Sequence, residues 1–330
     1  MAAVPMIELW RGGILESVHA GHAVICDAGG SVVQVWGDGD AVTYPRSSAK
    51  MIQALPLVES GAADAVGLTM RQLSLACASH VGAALHTGMV AEWLAGLGMG
   101  MGDLRCGSHW PSDIAARDLL VKTDASPCQY HNNCSGKHSG FLTLNRHLKG
   151  GAEYIEVDHP VQRAVRAAFE EVTAMASPGY GIDGCSAPNF TTSMTAMARA
   201  MAFFAGANPE GSLRERAAAR LYRAMAAYPE MVSGEGRACT ILMQAMGGKV
   251  TLKGGAEGYY VAILPEQRLG LALKIIDGAE RAKEAAITAL LVRLGVLDAG
   301  HPVVATFLTG PLINCSGRVT GEMRLAPGFA

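Results

Sequence analysis

The chain has 330 residues, half of them hydrophobic and only 17% charged, with 40 glycines and a formal charge of -2. That length allows a large core in one domain or in two interleaved lobes, and a charge content below the roughly 25% of soluble domains points to a partly covered surface, hence to self-association. Near-neutrality without a long Lys/Arg run excludes an electrostatic nucleic-acid or membrane surface, and no apolar run approaches the roughly 20 residues needed to span a bilayer.

The first residues, "MAAVPMIELWRGG", lack a basic stretch followed by an apolar one, so no secretion signal is expected and the compartment is read as cytoplasmic. The stretch "HAVICDAGGSVVQVWGD" alternates β-branched and apolar residues around an Asp-Ala-Gly-Gly turn, which predicts a β-hairpin with strand character ending near Thr43. After Pro45 the pattern turns helical, with segments predicted at 47–60, 70–78, 160–176, 191–205 and 212–227. "GYYVAILPEQRLGLALKIIDG" then predicts two strands around a Pro-Glu-Gln-Arg turn, a helix follows from about Ala279 to Leu294, and the end returns to strand. Strands at both ends with helices between predict an α+β fold in which one antiparallel sheet is built from both termini and a helical lobe is inserted. The expectation is a single catalytic domain over 1–330, with a sheet lobe from about 1–45 and 248–330 and a helical lobe over about 46–247. There is no G-x-G-x-x-G, no P-loop and no fixed-period repeat, which disfavours nucleotide chemistry.

Within "YPRSSAKMIQ", Pro45 precedes the predicted helix and Ser47 reads as its N-cap. Lys50 lies three residues after Ser47, so on a helix the two share a face, whereas Ser48 points elsewhere. Ser47 is therefore the candidate nucleophile and Lys50 its base, since a lysine kept neutral by desolvation or a second cation can take a serine proton. The helix N-terminus would also aim its N–H groups at charge developing on an attacked carbonyl. An S-x-x-K pattern arises about once by chance in a chain this long, so on its own it favours the cap. "LACASHVG" places Ser79 and His80 at a helix end, where a polar terminus is the plain alternative to a site. "TLKGGAEGYY" puts Lys253 at a strand edge before paired glycines, where a charged edge-strand gatekeeper is the alternative. "HNNCSGKHSG" gathers Cys134, Lys137 and His138, and "GIDGCSAPN" adds Asp183 and Cys185. The eight cysteines are scattered, unlike a small secreted framework, and read as free thiols or metal ligands.

Taken in order, "ELWRGGILES", "PRSSAKMIQALPL", "SHVGAALHTGMVAEWL", "HNNCSGKHSGFL", "GIDGCSAPN", "VSGEGRACT" and "LKGGAEGYY" resemble the serine–lysine, rhizobial-type class of L-asparaginases over most of the chain. The resemblance implies a fold similar to serine β-lactamases and serine-dependent glutaminases. It also implies two Ser-Lys pairs, Ser47 with Lys50 and Ser79 with Lys253, without settling which serine is acylated first. The implied reaction is hydrolysis of the side-chain amide of L-asparagine through an acyl-enzyme, with Asp183 holding the substrate α-ammonium and His138 a further contact. It implies as well one zinc ion per subunit on Cys134, Lys137 and Cys185, modulating affinity more than the chemical step, and the self-association is expected to be a homodimer. Competing readings are another amidase of this fold, a glutaminase or a β-lactamase, although the S-D-N element of the latter is missing. From a different class comes a non-catalytic, zinc-dependent small-molecule-binding protein.

Overall fold

The computed structural model describes residues 2–330. In chain order its main strands are β1 (Val4–Arg11), β2 (Ile14–Asp27), β3 (Val32–Trp36), β4 (Tyr180–Ile182), β5 (Pro188–Phe190), β6 (Thr251–Gly254), β7 (Tyr259–Leu264), β8 (Leu269–Ile275), β9 (Pro311–Ile313) and β10 (Val319–Leu325). The helices that matter below are α1 (Lys50–Gln53), α2 (Leu55–Glu59), α3 (Met70–Ala76), α4 (Ala84–Gly96), α5 (Ser135–Leu148), α6 (Pro160–Thr173), α7 (Met194–Gly206), α8 (Leu213–Ala227) and α9 (Glu280–Arg293). The fold is α+β. Among the described residues no helix is long and apolar enough to cross a membrane.

The chain divides into two compact units. The first takes the chain up to Ser48 together with Ser193–Gly206 and Ile241–Ala330. Its eight-stranded sheet runs β9-β10-β1-β2-β8-β7-β6, with β3 paired to β2 off that path. All of these pairings are antiparallel, and the two ends of the chain meet where Ile7 lies opposite Leu325. The β2–β3 hairpin turns at Asp27, whose side chain accepts from the N–H groups of Gly29 and Ser31. Every residue of β7 is buried, as expected of a central strand covered on both faces. Helices α7 and α9 pack on the sheet. Gly270 lets α7 approach, because a Cβ there would collide with the backbone of Met201 and Ala202. Thus α7 falls in the sheet unit although its sequence lies in the middle, helical stretch.

The second unit comprises Ala49–Thr192 and Ala207–Thr240. Its helices start where the side chains say they should. Thr69 and Gln72 form a reciprocal capping box for α3, Ser212 and Glu215 do so for α8, and α6 begins with Pro160. Leu73, Leu75, Phe141, Leu144, Val165, Phe169 and Leu221 are among the side chains that form its core.

One expectation fails locally. The predicted helix over 47–60, capped by Ser47, is instead a 3₁₀ turn over Arg46–Ala49 followed by the short helices α1 and α2. The N-cap of α1 is Ala49, with no side-chain cap bond. Arg46 adopts a left-handed φ of 52°, and Pro56, which has no N–H to donate, sits in the first turn of α2. A four-residue helix also has too few aligned peptides for the dipole expected of a long one.

Candidate active site

Lys50 opens α1 and is fully buried. Its Nζ donates to Ser79 Oγ at 3.0 Å, to Cys134 Sγ at 3.0 Å and to the carbonyl of Ala78. Ser79 follows the C-terminus of α3, where its N–H is held by Val232 O at 2.8 Å. This loop is stitched to the start of α5, since the His80 N–H donates to Asn133 O and His80 Nε2 lies 2.9 Å from Ser135 Oγ. Gly136 makes the approach possible, because a Cβ there would overlap the carbonyl oxygen and side chain of Leu75 on α3. Asn132 completes the framework by accepting from the Cys134 N–H and donating to Cys106 O, both at 2.8 Å.

The first turn of α5 carries the second half of the cluster. Lys137 Nζ donates to Cys185 Sγ at 2.9 Å. Cys185 sits in the β4–β5 turn, closed by the bonds Asp183 N to Ala187 O and Ser186 N to Asp183 O. Asp183 Oδ2 lies 3.9 Å from Cys185 Sγ, and Asp183 is part-exposed while both cysteines are buried. The hydrogen bond from Cys134, opposed by burial and reinforced by the Lys137 ammonium, holds the Cys185 thiol well below its ordinary pKa. The same bond, together with burial, pushes Cys134 up to about 12. Burial opposes charge on Lys137, but Cys185, Cys134 and Asp183 outweigh it and raise its pKa. Two sulfurs and one amine are a donor set of the kind that suits zinc once the amine and the thiols lose their protons. Among the described residues no group of three or more His, Cys, Asp or Glu side chains could hold a metal, so a site here must take Lys137 as its third donor.

The sequence-predicted residues Lys50, Ser79, Cys134, Lys137, Asp183 and Cys185 therefore converge within the helical unit. His138 is also there, its ring enclosed edge-on by Phe141 and Tyr154 and its Nδ1 2.8 Å from the Tyr154 hydroxyl. Ser47 and Lys253 belong to the sheet unit. Lys253 is buried on the edge strand β6, with its Nζ donating to Gly254 O at 2.8 Å, while Ser48 Oγ donates to the Lys253 carbonyl at 3.1 Å. Sequence reasoning set Ser48 aside and missed its bond to Lys253. It also missed the Lys50–Cys134 contact and the Tyr154 that holds His138. No spacing signals these, because each joins segments brought together only by the fold.

No curated protein matches the chain. Among solved structures it is similar to Mglu in its native form, with 12% identity and a TM-score of 0.49 over 85% of this chain and 66% of that one, just under two thirds of its length. It is also similar to a β-lactamase from Mycobacterium bovis, with 12% identity and a TM-score of 0.41 over 84% of this chain and 95% of that one. A family model described as L-asparaginase II matches residues 7–325.

Proposed function

The chain belongs to the L-asparaginase II family, and from that premise we propose that it is an amidohydrolase cleaving the side-chain amide of L-asparagine to L-aspartate and ammonia through a serine acyl-enzyme. The observation that carries the reading is the 3.0 Å bond between the buried Lys50 Nζ and Ser79 Oγ, a nucleophile and base already in contact. Lys50, as the free amine, takes the Ser79 proton while Oγ attacks the amide carbonyl carbon, and it returns a proton to the departing ammonia. Water then releases L-aspartate by the reverse proton route. Ser47 and Lys253 keep the roles that the family resemblance gives them, Ser47 as partner of Lys50 and Lys253 as partner of Ser79, relaying protons and stabilising charge. Asp183, part-exposed on an anchored turn, is the carboxylate suited to the substrate α-ammonium group. His138, enclosed beside Lys137, completes the binding side of the site.

Cys134, Lys137 and Cys185 are proposed to hold one zinc ion, which supplies a fixed positive charge near the substrate. None of the eight cysteines is paired in a disulfide, which supports a reducing compartment, and we take the protein to act in the cytoplasm as a homodimer. Ammonia release from a panel of amides tests the reaction, and sedimentation tests the dimer. L-Asparagine is expected to react and L-glutamine to lag far behind, because its extra methylene displaces the amide while the α-ammonium stays held. Equal kcat/KM for the two amides would remove the assignment. Ser79→Ala, Lys50→Ala and the double variant are expected to lose activity to the same extent, since groups that act as a unit are non-additive. Independent, additive losses would show that they are not a pair.

A further inference from the structure

Lys50 Nζ has three neighbours that accept its hydrogens, namely Ala78 O, Ser79 Oγ and Cys134 Sγ. An ammonium has three hydrogens to give, but an amine acting as a base has two hydrogens and one lone pair. The three directions around a tetrahedral nitrogen are fixed together, so if two N–H bonds are anchored the lone pair has only one place to point. Ala78 O is a backbone acceptor that can take only a hydrogen. Ser79 Oγ is the neighbour whose proton the proposed reaction moves onto the amine, so the lone pair must face it. The remaining N–H must then go to Cys134 Sγ.

From this geometry we propose that Cys134 is a positioning residue for the base: its sulfur anchors one N–H of Lys50 so that the amine lone pair faces Ser79 Oγ. The inference rests on the proposed serine hydrolase reading and gives Cys134 a task distinct from metal binding, since the sulfur accepts from Lys50 with or without an ion on its other side. Without that anchor the Cε–Nζ bond rotates with only Ala78 O to hold it, and the lone pair spends much of its time off the serine.

Removing Cys134 also damages the proposed zinc site, so the comparison must be with Cys185→Ala, which damages the zinc site equally but leaves Lys50 untouched. The full-length Cys134→Ala, Cys134→Val, Cys134→Ser and Cys185→Ala variants are assayed with L-asparagine, as purified and after chelation, with zinc content measured. A second readout needs no amide, namely the rate at which diisopropyl fluorophosphate labels Ser79, followed by intact mass and peptide mapping. Relative to Cys185→Ala, the Ala and Val variants are expected to lose about tenfold or more in kcat and in labelling rate at similar KM, as expected when a reacting group is misaligned. Cys134→Ser, whose hydroxyl can still accept, is expected to recover most of that loss. The Val variant fills the space without an acceptor, so a packing defect in the Ala variant alone would not mimic the result. Equal kcat and equal labelling in Cys134→Ala, Cys134→Val and Cys185→Ala would overturn the proposal while leaving the hydrolase reading intact. Ser79 labelling that depends on Cys134 in a protein that releases no ammonia from any amide would do the reverse.

Discussion

If Cys134, Lys137 and Cys185 take up zinc, protons must leave, and the structure says how many. Ordinary thiols and an ordinary lysine would together release about three protons per ion at neutral pH, since all three groups are protonated there. In this cluster Cys185 already lies well below its usual pKa, whereas Cys134 is pushed up to about 12 and Lys137 is raised. Only the last two protons remain to be displaced, so the apparent zinc Kd is expected to rise by about 100-fold for each unit the pH falls, ~2.7 kcal/mol per unit. The sign follows from the groups. Acid refills Cys134 and Lys137 and expels the ion, and the window extends from the lowered Cys185 pKa up to the raised pair. Competition with a chelating dye between about pH 6 and pH 8, paired with calorimetry in buffers of different ionisation enthalpy, reads the proton count directly. A slope near three would make Cys185 an ordinary thiol, and a flat profile would remove the metal assignment.

The remaining tests concern stability. His80 and His86 stack with ring centroids 4.8 Å apart, and burial holds both below the ordinary histidine pKa. A depressed histidine pKa means that the unfolded chain binds the proton first, so stability is full above about pH 6.5 and falls by up to ~1.4 kcal/mol per pH unit for each ring below it. Urea midpoints at pH 7 and pH 5.5 check this, and an unchanged midpoint refutes it. Gly136→Ala places a methyl against Leu75 and is expected to cost about 1–3 kcal/mol, whereas Gly88→Ala on α4, with nothing within 4 Å, gains about 0.5–1 kcal/mol from reduced backbone entropy. Shifts of the same sign in two thermal melts would contradict the packing described. Ser47→Ala should lower the melting free energy by less than the ~1 kcal/mol of a lost helix cap, since Ala49 holds that position. A full capping loss would mean that the 3₁₀ turn is misassigned.

What the sequence revealed depended on how local the cause was. The β2–β3 hairpin was legible because period-two alternation and an Asp-Ala-Gly-Gly turn lie side by side, and α3, α6, α8 and α9 were legible from their apolar spacing. The turn at Arg46–Ala49 was not, because a left-handed arginine carries no compositional mark and Pro56 breaks the helix only nine residues after Ser47. Within the site, Lys50 and Ser79 were both picked out, but their contact was not, because it joins segments that only the packing of α3 and α5 brings together, whereas helical spacing could speak only of Lys50 and its sequence neighbour Ser47. The role of α7 was hidden for a related reason, since an amphipathic helix does not announce which sheet or bundle it will cover.

The interleaved path of the chain bears on how this protein is made. The polypeptide crosses between the two units four times, at 48/49, 192/193, 206/207 and 240/241. Strands β1 and β2 leave the ribosome well before their sheet neighbours β10 and β8. At about 5–20 residues per second, Val4–Arg11 waits on the order of 15 to 60 seconds for the partner that completes its hydrogen bonds. During that interval β2 can pair only with β1 and β3, leaving an open ribbon edge. Nascent chains are therefore most exposed to strand-mediated association before residue 269 is synthesised, and slowing translation late in the message would prolong that hazard while slowing it early would not.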